Sequence, residues 1–150
     1  MGVSIKCQVK SRFQQEIIGR ILNCTMPQIT AILPTWNRAE WLEKSIQSVL
    51  DQTFGDFELV VVDDASTDST AEIIERYSGK IRCIILTKNR GVSAARNAAV
   101  LKSDSEWIAF LDSDDYWHPE KLQKQIEQTK IRQGFPIHFT DEIWIRNGIR

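Results

Sequence analysis

This 150-residue sequence predicts an α/β domain with a mostly parallel sheet and helices on both faces. Three observations carry that expectation. Short apolar runs of strand length alternate with stretches whose apolar residues recur at helical spacing. The runs are apolar almost throughout, as strands covered on both faces are. Three of them end in polar clusters: Pro34-Thr35-Trp36-Asn37-Arg38, Asp63-Asp64 and Asp112-Ser113-Asp114-Asp115. In sheets of this kind ligands bind beyond the carboxyl ends of the strands, so the three clusters define one functional edge.

The elements follow in order. Residues 1–27 are mildly basic and form no long periodic face, so they are read as a weakly structured N-terminal extension, with 28–150 as the domain. Met26 stands just before regular patterning begins and is a candidate native start. Ile29 to Leu33 is a buried strand stopped by Pro34. Trp41, Leu42, Ile46, Val49 and Leu50 recur at helical spacing and predict a helix over 39–52. Phe57 to Val62 is the second strand. Ser69 with Glu72 has the form of a capping box and opens a short helix that breaks at Gly79. Ile81 to Leu86 is the third strand. Gly91 opens a helix rich in alanine (Ala94, Ala95, Ala98, Ala99), which permits close packing on a sheet. Residues 107–111 form a fourth strand, and Pro119 suits the first position of a helix running to about Arg132. Pro136 to Thr140 is a fifth strand. Ile143 to Arg146 reads as a further strand, and Asn147-Gly148 as a tight hairpin turn.

Composition narrows the function classes. A chain of this length buries roughly 68–70% of its unfolded surface, enough for a core. The net charge of -1 gives no reason to expect nucleic acid or an anionic membrane as a general partner. Cys7, Cys24 and Cys83 match no zinc spacing and suit a reduced, cytoplasmic setting. No apolar stretch is long enough for a transmembrane segment, and peripheral membrane association stays open.

The acidic clusters carry the chemistry. Carboxylates gathered at the exit of an apolar strand are costly without a positive partner. In an extended segment Asp112 and Asp114 point the same way, so both can face one divalent cation, Mg2+ or Mn2+, completed by substrate phosphate and water. Alternatively these aspartates cap the next helix or order a turn. Asp63 and Asp64 point to opposite faces, so one can meet a ligand while the other braces the loop; two purely structural aspartates fit the residues equally well. Gly91 and Arg96, at the opening of a helix, favour an anion. Trp36 offers a flat face for stacking. His118 and His138 have no triad or metal spacing and are read as structural. The turn after the first strand lacks glycine, which argues against a dinucleotide-binding domain. An Asp-x-Asp after the fourth strand, not the first, argues against an aspartyl-nucleophile phosphatase, although a phosphatase-like hydrolase and a non-catalytic binding module stay as alternatives.

Taken together, Pro34 to Arg38, Gln52-Thr53-Phe54, Glu58 to Asp64 with Ser66 and Asp68, Asn89-Arg90-Gly91 through Arg96-Asn97, and Leu111 to Asp115 with Pro119, Lys121 and Leu122 resemble the family 2 glycosyltransferases in order and spacing. The resemblance covers about residues 29–132. It implies a Rossmann-like, A-type glycosyltransferase fold (GT-A), a nucleotide-diphosphate sugar donor, an unidentified acceptor and inverting transfer. Carried over by position, it implies that Pro34, Thr35 and Trp36 line the nucleotide pocket and that Asp64 contacts the base. Arg96 then lies near the nucleotide or diphosphate, and Asp112 and Asp114 hold metal and donor; Arg38, Asp63 and Ser113 are read as further donor contacts. In such enzymes a carboxylate well downstream acts as general base toward the acceptor hydroxyl. That base is expected beyond Arg150, and the chain is read as the C-terminally truncated, donor-binding portion of a longer protein. Neither Asp141 nor Glu142 is promoted to the role.

Overall fold

A computed structural model describes residues 26–131 together with Ile137, His138, Thr140 and Ile143. It contains a four-stranded sheet in the order β3-β2-β1-β4. The strands are β1 (Ile29–Thr35), β2 (Phe57–Asp63), β3 (Arg82–Ile85) and β4 (Trp107–Phe110), and every pairing is parallel. The helices are α1 (Ala39–Leu50), α2 (Thr70–Arg76), α3 (Val92–Val100) and α4 (Lys121–Ile131). Because all strands run the same way, their carboxyl ends and the loops that follow them share one edge. Ile29 pairs with both Phe57 and Trp107, which makes β1 central and sets the loops after β1, β2 and β4 side by side.

Helices cover both faces, as expected. One face of the sheet, Ala31, Leu33 and Val61 among others, packs on Leu42 and Ile46 of α1, Ile73 and Ile74 of α2, and Leu122 and Ile126 of α4. The other face, Ile32, Val60, Val62 and Ile84, packs on Ala95 and Ala99 of α3. Alternation along a strand explains the split: Leu33 and Ile32 are neighbours in sequence and serve opposite cores. Each fully buried Leu or Ile contributes about 1.5–3 kcal/mol relative to exposure, so the two layers fix α3 and α1 firmly on the sheet.

Several boundaries differ from the sequence reading. Helix α1 ends at Leu50, short of Gln52: Asp51 is its C-cap, and Gln52 N bonds back to the Val49 carbonyl at 3.2 Å in a tightened last turn. Strands β3 and β4 are each shorter than predicted. Helix α4 begins at Lys121, and His118, not Pro119, organises its start: the His118 carbonyl accepts from Lys121 N at 2.9 Å and its ring Nδ1 from Glu120 N at 3.3 Å. The capping box at Ser69 does not form. Ser69 makes no side-chain cap; Asp68 Oδ1 accepts from Thr70 N instead, at 3.0 Å. The N-terminal extension, apart from Met26 and Pro27, lies outside the described residues, as do Pro136 and Phe139 of the strand expected at 136–140, all but Ile143 of the strand expected at 143–146, and the turn at Asn147-Gly148; Ile137, His138, Thr140 and Ile143 are not in strand conformation.

Candidate donor site at the carboxyl edge of the sheet

Asp64, just past β2, is buried beneath the loop that leads into α3. Its carboxylate accepts from Arg90 N through both oxygens, at 2.9 and 3.1 Å, and from Gly91 N at 2.7 Å, three bonds in all. Gly91 holds φ 85°, which a residue with a Cβ adopts only under strain, and this backbone form starts α3. Asp63 is equally buried, but on the opposite face; its Oδ1 accepts from Ser66 N at 3.0 Å. Both aspartates therefore brace loops. A carboxylate offers about four acceptor positions, so Asp64 keeps capacity for one more donor.

The loops after β1 and β2 are tied to each other. Asn37 N donates to Ser66 Oγ at 2.9 Å, Thr67 N donates to Asn37 Oδ1 at 2.7 Å, and Asp64 N donates to the Thr35 carbonyl at 2.9 Å. Asn37 reaches this arrangement with φ 51°, a conformation asparagine tolerates better than most. Asp68 links two helices, because its carboxylate accepts from Ala39 N of α1 as well as Thr70 N of α2. Burial raises its pKa, but the hydrogen bonds from Thr70 and Ala39 prevail and hold it below the ordinary aspartate value.

Asp112 and Asp114 sit on a turn rather than in the extended segment the sequence suggested, because Asp115 N bonds back to the Asp112 carbonyl at 3.0 Å. Each faces its own arginine. Arg96 of α3 places Nη2 at 2.5 Å from Asp112 Oδ1, and Arg38 Nε lies 4.0 Å from Asp114 Oδ2. Arg96 also rests over the Phe110 ring, 5.4 Å from its centre. Three of the elements named by sequence thus converge: β2 through Asp64, α3 through Gly91 and Arg96, and the segment after β4 through Asp112. Pro34 and Thr35 close the end of β1 as buried residues, while Trp36 is 50% exposed beside them. Ser113 is buried, and its carbonyl is held from α1.

That hold is the part sequence reasoning missed. Ser45, Ser48 and Gln52 form a polar row on the inner side of α1 and beyond its end, and they grip the whole stretch from Ser113 to Leu122. The Ser45 hydroxyl reaches the carbonyls of Asp115 at 2.6 Å and Ser113 at 3.0 Å. Ser48 Oγ accepts from Trp117 N at 3.1 Å. Gln52 donates to the His118 carbonyl at 2.8 Å and accepts from Leu122 N at 3.0 Å. The available signal was polar residues at positions 45, 48 and 52, close to the spacing of the apolar face. Farther along, burial pushes the Lys121 ammonium down to about 8, even though its Nζ sits 4.1 Å over the Trp117 ring.

Among the described residues, two buried polar atoms at this edge, Thr35 Oγ1 and Arg96 Nε, have no hydrogen-bond partner. Orphaned buried donors and acceptors are uncommon and cost free energy; Thr70 Oγ1 and Trp107 Nε1, elsewhere in the fold, share the condition. Among the described residues no group of three metal-ligating side chains occurs. Asp112 and Asp114 nevertheless fit a hard cation of the magnesium type, which takes one or two carboxylates and draws its other ligands from water and phosphate. A separate open cleft of about 860 Å³ between the starts of α1 and α2, lined by Trp41, Glu72 and Arg76, shares Arg38 with the edge but contains neither Asp64, Arg96 nor Asp112.

The model of glycosyl transferase family 2 matches residues 30–133. The chain belongs to that family. A putative teichuronic acid biosynthesis glycosyltransferase, TuaG of Bacillus subtilis, is 39% identical over 104 residues, which is 67% of this chain and 41% of the relative. Among solved structures, S. aureus TarS (residues 1–349) in complex with UDP superposes with a TM-score of 0.65 at 34% identity, covering 69% of this chain and 32% of that one. The mannosyltransferase PcManGT from Pyrobaculum calidifontis, in complex with GDP-Man and Mn2+, superposes with a TM-score of 0.62 at 25% identity, covering 78% and 39%. The architecture is that of the A-type glycosyltransferases. The matched part spans well under half the length of these three proteins. No helix among the described residues is long and apolar enough to cross a membrane.

Proposed function

We propose that the carboxyl edge of this sheet binds a nucleotide-diphosphate sugar together with a divalent metal, as the donor half of a sugar transfer to an acceptor not yet identified. The observation that carries the reading is the Arg96–Asp112 pair set one helical turn from the Asp64–Gly91 anchor, with Arg96 Nε left without a partner. In this assignment Pro34, Thr35 and Trp36 line the nucleotide pocket, with Trp36 presenting its ring to the base and Asp64 taking a base N–H. Arg38 and Arg96 supply positive charge to the diphosphate, with Asp63 and Ser113 supporting the loops around it. Asp112 and Asp114 hold the metal. The metal, when bound, offsets the negative charge of the departing nucleotide diphosphate. Arginines that meet phosphate oxygens through two donors fix orientation as well as charge, so they position the sugar carbon for attack.

Transfer also requires a base for the acceptor hydroxyl. No carboxylate at this edge is assigned that part, because Asp64, Asp112 and Asp114 are engaged with backbone N–H groups, Arg96 and Arg38. TarS with UDP and PcManGT with GDP-Man and Mn2+ support a nucleotide and a metal here without choosing between uridine and guanosine. Peripheral attachment to a membrane at the cytoplasmic face is part of the same proposal, consistent with a donor site that needs no spanning helix. Backbone NMR of the 150-residue chain during titration with UDP-glucose or GDP-mannose plus Mg2+ tests the reading. Shifts are expected at Thr35, Asp64, Arg96 and Asp112. Shifts confined to the cleft around Trp41 would overturn it.

A further inference from the structure

Both carboxylates of the Asp-x-Asp pair are held by arginines, and the two arginines come from different elements. We infer that Arg96 and Arg38 are stand-in cations, which hold Asp112 and Asp114 until a divalent ion displaces them, whereupon Arg96 passes to the diphosphate that arrives with the ion. The inference rests on the donor-site reading above.

The geometry favours an exchange over a permanent ion pair. Arg96 makes a close contact with Asp112 through Nη2, but its Nε is buried without a partner, so the guanidinium uses its donor fork incompletely. The side chain of Asp112 is 50% exposed and that of Asp114 is 55% exposed, and exposed ion pairs are weak enough to be displaced. Arg38 stands at 4.0 Å, the outer limit of an ion pair. A divalent ion brings two charges where a guanidinium brings one, and it prefers hard carboxylate oxygens. A guanidinium, in turn, matches two phosphate oxygens better than one carboxylate oxygen. Each partner alone faces a penalty. The ion by itself must push Arg96 off Asp112 with no new anion to receive it, and the nucleotide by itself brings phosphate charge next to two carboxylates. Arriving together they satisfy every group. The exchange thus couples the two affinities, and the coupling is reciprocal.

Ordinary bridging of a metal by phosphate also couples the two ligands, so the test must separate the mechanisms. Mn2+ binding to the 150-residue chain is followed by electron paramagnetic resonance, with and without UDP or GDP, for the wild type, Arg96→Met and Arg96→Lys, each checked for native circular dichroism. Exchange predicts that Arg96→Met raises the affinity for Mn2+ alone by about tenfold, because the competing charge is gone, while it shrinks the gain that nucleotide confers. It predicts that Arg96→Lys, which keeps the charge, leaves Mn2+ alone bound as in the wild type. Unchanged or weaker binding of Mn2+ alone in Arg96→Met overturns the inference. A second measurement serves if that variant does not fold: the Arg96 Nε–H resonance of the wild type moves when Mg2+ and UDP (or GDP) are both present. A resonance unmoved by ligands that do bind overturns the exchange and leaves the donor site standing. Absence of any metal binding, with either nucleotide present, brings down both.

Discussion

Asp64 and Gly91 are joined by a 2.7 Å hydrogen bond from the backbone of the α3 entry to a buried carboxylate. With the bond from Arg90 N, it makes one side chain at the end of β2 responsible for where α3, and so Arg96, begins. Replacing Asp64 with Asn exchanges an oxygen acceptor for an NH2 donor facing two N–H groups. The expected cost is about 1–3 kcal/mol in chemical unfolding, the range for a buried hydrogen-bonding group left unsatisfied. Nucleotide affinity should fall as well; a variant as stable as the wild type would show that the loop does not depend on this carboxylate.

Gly91 tests the same entry from the backbone side. A Cβ there would meet no heavy atom within 4 Å, so Gly91→Ala isolates the conformational cost of φ 85°. A loss of about 1–3 kcal/mol is expected, measured by thermal or urea denaturation.

Ser45 is a site residue that would touch no ligand. Its hydroxyl reaches the carbonyls of Asp115 and Ser113, which hold the acidic turn against α1. Ser45→Ala should cost about 1–2 kcal/mol in stability and also weaken Mn2+-dependent nucleotide binding, because the turn loses its anchor. Calorimetry on the folded variant checks the second effect. Binding identical to the wild type would reduce Ser45 to a packing residue.

Lys121 gives a pH signature. Burial lowers its pKa from 10.5 to about 8 in the folded chain, so between these values the unfolded chain binds more protons than the folded one. Stability attributable to this group therefore rises with pH through that window. The amine is partly exposed and sits over Trp117, so the gain expected is only about 1 kcal/mol. Comparing the denaturation midpoints of wild type and Lys121→Met at pH 7.5 and pH 10.5 tests this; the wild type should improve relative to the variant on the alkaline side.

Much of this was legible in the sequence because strand burial and helical spacing are strong local signals. Ile32 and Val60 sit in largely apolar runs, broken by Thr30 and Glu58, and the runs are the strands. The clustering of Asp63-Asp64 and Asp112 to Asp115 at one edge follows from parallel connectivity alone. Pairings that depend on side chains from distant elements were not legible. Nothing local tells Asp112 to take Arg96, or Arg38 to approach Asp114, and the expectation of an extended Asp-x-Asp gave way to a turn because the Asp115 N–H bonds back to the Asp112 carbonyl. The Ser45, Ser48 and Gln52 row was hidden because polar residues on an apolar helix face have no local partner to announce them. The capping box at Ser69 was misled by Asp68, whose carboxylate reaches Thr70 N first.

The most direct test of the donor site is calorimetric titration of the 150-residue chain with UDP and with GDP, each with and without Mn2+, in the wild type and in Asp114→Ala. One nucleotide should bind more tightly with Mn2+ present, and Asp114→Ala should remove most of that gain, about tenfold or more in affinity, which corresponds to about 1.4 kcal/mol. Nucleotide binding indifferent to Mn2+ and unchanged in Asp114→Ala would contradict a metal-held diphosphate at this edge.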